Sequence, residues 1–262
     1  MKYLFDNFPE IKNRLRAPRG CLLLLDFDGT LSPIELSPAL ARLPKGVKLE
    51  LKKYSRIFPV GVISGRKLSD IKNKVGLKNL VYSGNHGLDW QIGGKINRAP
   101  GAERAAKPLA KIFRELRQLP RSYPGVLLEY KGLSLAVHYR KLRPSLVPQF
   151  KKDAGRLIGK LIKGKDLQIL NDNKALELRP KVQWDKGKFA LAIWKYFEKN
   201  LKRELVPVYA GDDTTDEDAF RALKTGITIR VGRSQNSNAK YYIRNTGQVK
   251  LFIRQLLKII SA

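Results

Sequence analysis

Cysteine, methionine and histidine are nearly missing from the 262 residues: there is one cysteine, Cys21, one methionine, and only His86 and His138. A single thiol excludes an internal disulfide framework and a cysteine-ligated zinc site. Two histidines exclude a multi-histidine centre, so a metal bound here is expected to be held by oxygen, which points to magnesium rather than zinc. No apolar run approaches the ~20 residues that a bilayer-spanning helix requires. The opening stretch MKYLFDNFPEIKNRLRAPRG has no apolar signal core. These absences give the expectation of a soluble, cytoplasmic protein with no membrane partner. Acidic residues are also scarce, 23 against 52 basic ones, for a net charge of +29. Such a surface attracts anions, from small phosphates to nucleic acid. The lysines are dispersed without basic–aromatic repeats, so a solvated cationic surface is expected and no specific nucleic-acid partner.

What is present is a regular alternation. Strand-length apolar segments (Cys21–Leu25, Phe58–Ile63, Leu80–Ser83, Val206–Tyr209 and Thr228–Val231) alternate with helical stripes at Lys67–Val75 and Phe189–Asn200. Buried strands between helices predict an α/β fold with a doubly wound, Rossmann-like parallel sheet. The middle of the chain differs. GVLLEYKGLSLAVHYR reads as a hairpin turning at Lys131-Gly132, and DLQIL with ALELRP as a second one around Asn171-Asp172-Asn173-Lys174. A helical stripe from Leu146 to Leu161 separates the pairs, and another around Leu109–Leu116 precedes them, with Pro108 obscuring its start. The expected organisation is therefore a core of residues 1–100 and 182–262, interrupted by an inserted α+β domain at 101–181.

Ligands of open α/β sheets bind beyond the carboxyl ends of the strands. There LLLLDFDGTL places Asp26 and Asp28, whose Cβ atoms are roughly 6–7 Å apart if the strand persists. An ionised aspartate is a competent nucleophile, and a neighbouring carboxylate favours protonation of the second. An Asp-Gly turn alone would also account for the pair. In VISGR, Ser64 starts a helix where a hydroxyl beside free N–H groups suits a phosphate oxygen, or it is a plain N-cap. Lys186 stands in the first turn of a helix, against the macrodipole, which calls for solvent or a fixed anion. In GDDTTDEDAF five carboxylates fall between Asp212 and Asp218. Thr214 and Glu217 fit a capping box for a helix running through Leu223 towards Gly226, which leaves Asp212 and Asp213 as the metal-ligand candidates.

These four pieces, in this order and with an insert between the second and third, resemble the haloacid dehalogenase (HAD-like) superfamily. LDFDGTLSPI, SGR, GNHG, HYR, LRP…WDKG and GDDTTDEDAF together resemble its trehalose-6-phosphate phosphatase family. The resemblance implies a HAD-type core with a cap domain and a magnesium-dependent phosphatase of a sugar phosphate. Asp26 would attack phosphorus to form an aspartyl-phosphate, while Asp28 serves as acid and then base. It also implies magnesium on the Asp26 carboxylate, the Asp28 carbonyl and Asp212, with Asp213 in support, and Ser64 and Lys186 on the phosphoryl oxygens. A cap that closes over the site and contacts the sugar is implied too. Candidates for substrate contacts are Lys131, His138, Arg140 and Glu177 in the cap, with Arg66, Asn85 and His86 in the core. Sibling activities on sucrose, mannosylglycerate or glucosylglycerol phosphate are the alternatives, and a polyanion-binding protein on the same scaffold is a more distant one.

Overall fold

The computed structural model describes residues 1–15, 20–35, 37–172 and 174–260. The chain divides into two compact units, Met1–Asn97 with Trp184–Ala262, and Arg98–Gln183.

The first unit opens with β1 (Lys2–Tyr3), α1 (Phe8–Leu15), β2 (Gly20–Asp26), α2 (Lys45–Tyr54), β3 (Val60–Ile63), α3 (Leu68–Val75), β4 (Val81–Gly84), β5 (Asp89–Ile92) and β6 (Lys95–Arg98). The second holds α4 (Ala102–Ala106), α5 (Leu109–Glu115), α6 (Gln118–Ser122), β7 (Leu127–Tyr130), β8 (Leu135–His138), α7 (Val147–Ile162), β9 (Leu167–Asp172) and β10 (Ala175–Pro180). The first unit then resumes with α8 (Lys186–Leu201), β11 (Leu205–Gly211), α9 (Asp216–Ala222), β12 (Ile227–Val231), β13 (Tyr241–Ile243) and α10 (Gly247–Ile260).

Among the described residues the first unit's sheet is ordered β1-β13-β12-β11-β2-β3-β4-β5-β6. Its pairings from β1 to β4 are parallel, and β5 runs antiparallel to β4. At its centre β2 is buried along its whole length. Its leucines divide by parity: Cys21, Leu23 and Leu25 join one apolar cluster with α2 and α10, whereas Leu22 and Leu24 join the other with Phe189, Ala190 and Ile193 of α8. Each fully buried leucine contributes on the order of 1.5–3 kcal/mol, so a one-residue slip would invert both faces at once. The Cys21 thiol is buried, and burial pushes its pKa up to about 12, which makes it inert.

The second unit is an antiparallel sheet ordered β7-β8-β10-β9 with helices α4 to α7. Pro108 resolves as the residue before α5, where its fixed φ suits a helix start. The first hairpin turns through a longer loop than Lys131-Gly132 alone, closed by the Lys131 amide on the Ser134 carbonyl at 2.9 Å. In the second hairpin, Asn173 lies outside the described residues.

Candidate active site

Strand register places three chain exits side by side. Asp26 of β2 is opposite Ile63 of β3, so Ser64 leaves its strand level with it. Leu25 is opposite Ala210, which brings Asp212 out just beyond on the other side. The same parity that buries Leu22 and Leu24 against α8 turns Asp26 to that face, while Phe27 goes back into the opposite cluster, wholly buried. Gly29, at φ +81°, makes the turn that follows; a Cβ there would overlap the Asp212 carboxylate at 2.1 Å. Thr30 Oγ1 donates to Asp212 Oδ1 at 3.0 Å.

From the helix side, Lys186 is the first residue of α8 and only 3% exposed. Its Nζ donates to Asp26 Oδ1 and to Asp216 Oδ1, both at 2.7 Å. The anion that a cation in a helix's first turn requires is therefore a pair of carboxylates. Asp185 caps α8 by accepting from the Lys188 amide at 2.8 Å. Burial works against the Lys186 ammonium, yet Asp216 and Asp26 more than offset it and raise its pKa. Burial lifts Asp26 well above the ordinary carboxylate range, against the pull of Lys186 and with Asp216 and Asp212 adding to it. Asp212 is pushed up to about 7, by burial first and Asp216 next.

Asp216 is the site residue the sequence reading missed, since it sits in an acidic run that looks like a helix's first turn. It is fully buried and accepts four hydrogen bonds: Lys186 and the Tyr209 hydroxyl on Oδ1, and the amides of Asp212 and Asp213 on Oδ2. The signal was the spacing Asp212-Asp213-Thr-Thr-Asp216, which lets one carboxylate close a loop over two successive N–H groups. The expected capping box does not form. Thr214 Oγ1 donates to Asp213, and Glu217 is drawn away to Arg230, Ser237 and Asn238, so α9 begins without a side-chain cap. Ser64 is likewise not at a helix start: α3 begins at Leu68, and Ser64 Oγ accepts from the Arg66 amide at 3.2 Å within a tight loop.

Carboxylate oxygens of Asp26, Asp212 and Asp216 lie within 4.8 Å of one another. Hard oxygen donors at this density suit a divalent cation. Asp216 already accepts four bonds, whereas Asp26 accepts from Lys186 and Asp212 from Thr30, so these two are the ones that could hold it. Asp213 is turned aside, its Oδ1 accepting from the Thr214 amide and hydroxyl. Asp28 stands at the rim with its side chain 40% exposed. Both its oxygens are gripped by Arg66, whose Nε and Nη2 donate at 2.7 and 2.6 Å. Arg66 also reaches Asp70 at 2.9 Å.

The sequence profile of the family described as trehalose-phosphatase matches residues 24–247. The chain belongs to this family. Trehalose-phosphate phosphatase of Mycobacterium tuberculosis H37Rv is 37% identical over 218 residues, 82% of this chain and 55% of that protein. Trehalose-phosphate phosphatase B of Arabidopsis thaliana is 29% identical, with 96% of this chain and 70% of that one aligned. The chain thus spans about half the length of the mycobacterial relatives it matches. Among solved structures, a trehalose-6-phosphate phosphatase related protein superposes with a TM-score of 0.80 at 22% identity, over 92% of this chain and all of that one. The C-terminal domain of Candida albicans trehalose-6-phosphate phosphatase gives 0.78 at 23% identity, over 97% of both chains. At such identities these two establish the fold.

In this trehalose-phosphatase family member the remaining expected residues fall into two groups. Asn85 is wholly buried, its amide donating to Asp89 Oδ1 at 3.1 Å, and His86 is 8% exposed beside Gly65. In the second unit Lys131 Nζ and Ser134 Oγ donate to Glu177 Oε1 at 3.0 and 3.1 Å. His138 pairs with Glu129 at 2.8 Å. Arg140 lies in the turn beyond β8 and not on a strand. No helix among the described residues is long and apolar enough to cross a membrane.

Proposed function

We propose that this chain is a magnesium-dependent phosphatase that hydrolyses trehalose 6-phosphate to trehalose and phosphate. The observation that carries the reading is Asp26, a carboxylate at the end of the central strand, held by Lys186 and bordered by Asp212. Family membership supports the substrate. In the first step an Asp26 oxygen bonds to phosphorus, the bond from phosphorus to the sugar oxygen breaks, and Asp28 gives that oxygen its proton. In the second, Asp28 takes a proton from water, the water oxygen bonds to phosphorus, and the Asp26–phosphorus bond breaks. Arg66 donates once to each Asp28 oxygen, which orients the carboxyl and leaves an acceptor position on each oxygen for a proton. Lys186 and Ser64 offset charge on the transferring phosphoryl oxygens. Magnesium held by Asp26 and Asp212, joined by the Asp28 carbonyl, would supply further neutralisation of that charge.

We assign recognition of the sugar hydroxyls to Lys131, His138, Arg140 and Glu177 of the inserted unit. Charged hydrogen-bonding groups reject ligands that leave them unmatched. The reading carries with it a reducing compartment such as the cytoplasm, to which a lone buried thiol is suited. Phosphate release across a panel of sugar phosphates, with and without magnesium, tests it. Trehalose 6-phosphate is expected to be the preferred substrate, and Asp26→Asn to abolish its turnover. Higher activity on sucrose, mannosylglycerate or glucosylglycerol phosphate would move the assignment to a sibling activity.

A further inference from the structure

Three consecutive residues, Asn85, His86 and Gly87, have positive φ angles of 48°, 58° and 96°. Left-handed backbone is uncommon for residues that carry a side chain, and it persists where the surroundings over-determine it. Here the surroundings are two segments that bear phosphate-handling groups. On one side the His86 amide donates to the Ser64 carbonyl at 3.0 Å, and the Asn85 amide to the Arg66 carbonyl at 2.8 Å. The imidazole of His86 fills the space over Gly65, where a Cβ would sit 2.5 Å from its Cε1. Gly65 does not adopt a positive φ, so the ring, and not the backbone, excludes a side chain there. On the other side the Trp184 indole N–H donates to the Gly87 carbonyl at 2.8 Å, two residues before Lys186. A Cβ on Gly87 would also meet the Asp185 carbonyl at 3.2 Å.

From this wedge we infer that the Asn85–Gly87 turn is a spacer that sets the distance between Ser64 and Lys186, with His86 as the positioning residue for the Ser64 loop. The inference rests on the phosphatase reading, in which both groups contact the transferring phosphoryl group. It reassigns His86 from the sugar to the geometry of the phosphate site. Such a residue acts on the transition state more than on substrate affinity, because small misplacements there are costly.

His86→Gly removes the buried ring while accepting the same φ, so relieved backbone strain offsets part of the cavity cost and the melting temperature is expected to fall without loss of folding. Its kcat on trehalose 6-phosphate is expected to fall about ten- to a hundredfold, with KM changing less than threefold. Gly65→Ala pushes on the same contact from below and is expected to lower both kcat and melting temperature. In the double variant the clash is gone, so it should perform no worse than His86→Gly alone. Trp184→Phe keeps an aromatic ring but loses the donor, for about a fivefold drop in kcat, the equivalent of one neutral hydrogen bond. A rise in KM with kcat unchanged in His86→Gly would restore a sugar-contacting role, and simple multiplication of the two single losses would disprove the contact. Should the unaltered protein release no phosphate from any sugar phosphate, the phosphatase reading fails. The melting temperatures of the Gly65/His86 variants would still decide whether the brace exists.

Discussion

Lys186 and Asp26 meet at 2.7 Å with both side chains withdrawn from water, although 160 residues separate them in the chain. Together with Asp216 they form a buried cluster of one cation between two carboxylates, with a third carboxylate, Asp212, close by.

Removing the cation should be costly. Lys186→Met leaves buried carboxylates uncompensated, and breaking such a cluster costs about 3–5 kcal/mol, or roughly 6–20 °C in melting temperature for a domain of this size. Added magnesium is expected to recover part of that loss. A metal-free variant that melts within a few degrees of the unaltered protein would show that Lys186 is not what neutralises the cluster.

The three aspartates after β11 should separate by role. Asp212→Asn is expected to raise the magnesium concentration for half-maximal turnover by about tenfold or more, as loss of a ligand does. Asp213→Asn, whose side chain serves its own loop, is expected to shift it less than Asp212→Asn does. Asp216→Asn puts donors where Lys186, Tyr209 and two amides already donate, so its expected signature is lost stability as well as lost turnover. Equal magnesium shifts for Asp212→Asn and Asp213→Asn would contradict this division.

Stability of the metal-free protein should fall as pH rises. Asp212 has an ordinary value of 3.8 when unfolded and about 7 when folded, raised by burial and then Asp216. Between those values the folded state holds a proton that the unfolded state has released, so stability declines with pH and the loss is complete above about 7. Burial moves Asp26 in the same direction. Thermal melting in chelator is expected to be higher near about pH 5 than near about pH 8, and saturating magnesium should flatten the slope. A metal-free melting temperature that climbs over that range would refute the assignment.

In the inserted unit, Lys131→Met removes the cation that pairs with Glu177, in a site where both side chains are under one-tenth exposed, and leaves the Ser134 hydroxyl on the same oxygen. Denaturant unfolding should register a loss of about 3–5 kcal/mol. Lys131→Met with Glu177→Leu should return most of it, because replacing both partners removes the uncompensated charge. If sugar recognition also depends on this pair, the double variant will fold well and still show a raised KM.

Strong one-dimensional signals made much of this architecture legible. The leucine run before Asp26 and the apolar stripe of α8 report burial directly, and burial fixed where Asp26 and Lys186 emerge. Illegible were the partners chosen in three dimensions. A capping box was inferred from Thr214 and Glu217, but Glu217 found Arg230, Ser237 and Asn238, which no local spacing foretells. Asp216 was hidden because an acidic first turn is ordinary on any helix. The pairing of Arg66 with Asp28, 38 residues away, is likewise one that no local spacing announces.

The central pairing of β2 with β11, from Gly20 opposite Leu205 to Leu25 opposite Ala210, joins strands that stand on opposite sides of the inserted unit in the sequence. A chain emerging from the ribosome therefore makes β2 early and can pair it with β3, but the other edge of β2 stays open until the whole insert and β11 have been synthesised. Loop closure over such a separation is slow compared with local folding. The insert can complete its own antiparallel sheet first, so the cluster around Asp26 is assembled late in biosynthesis, and prematurely terminated chains carry Asp26 without Lys186, Asp212 and Asp216.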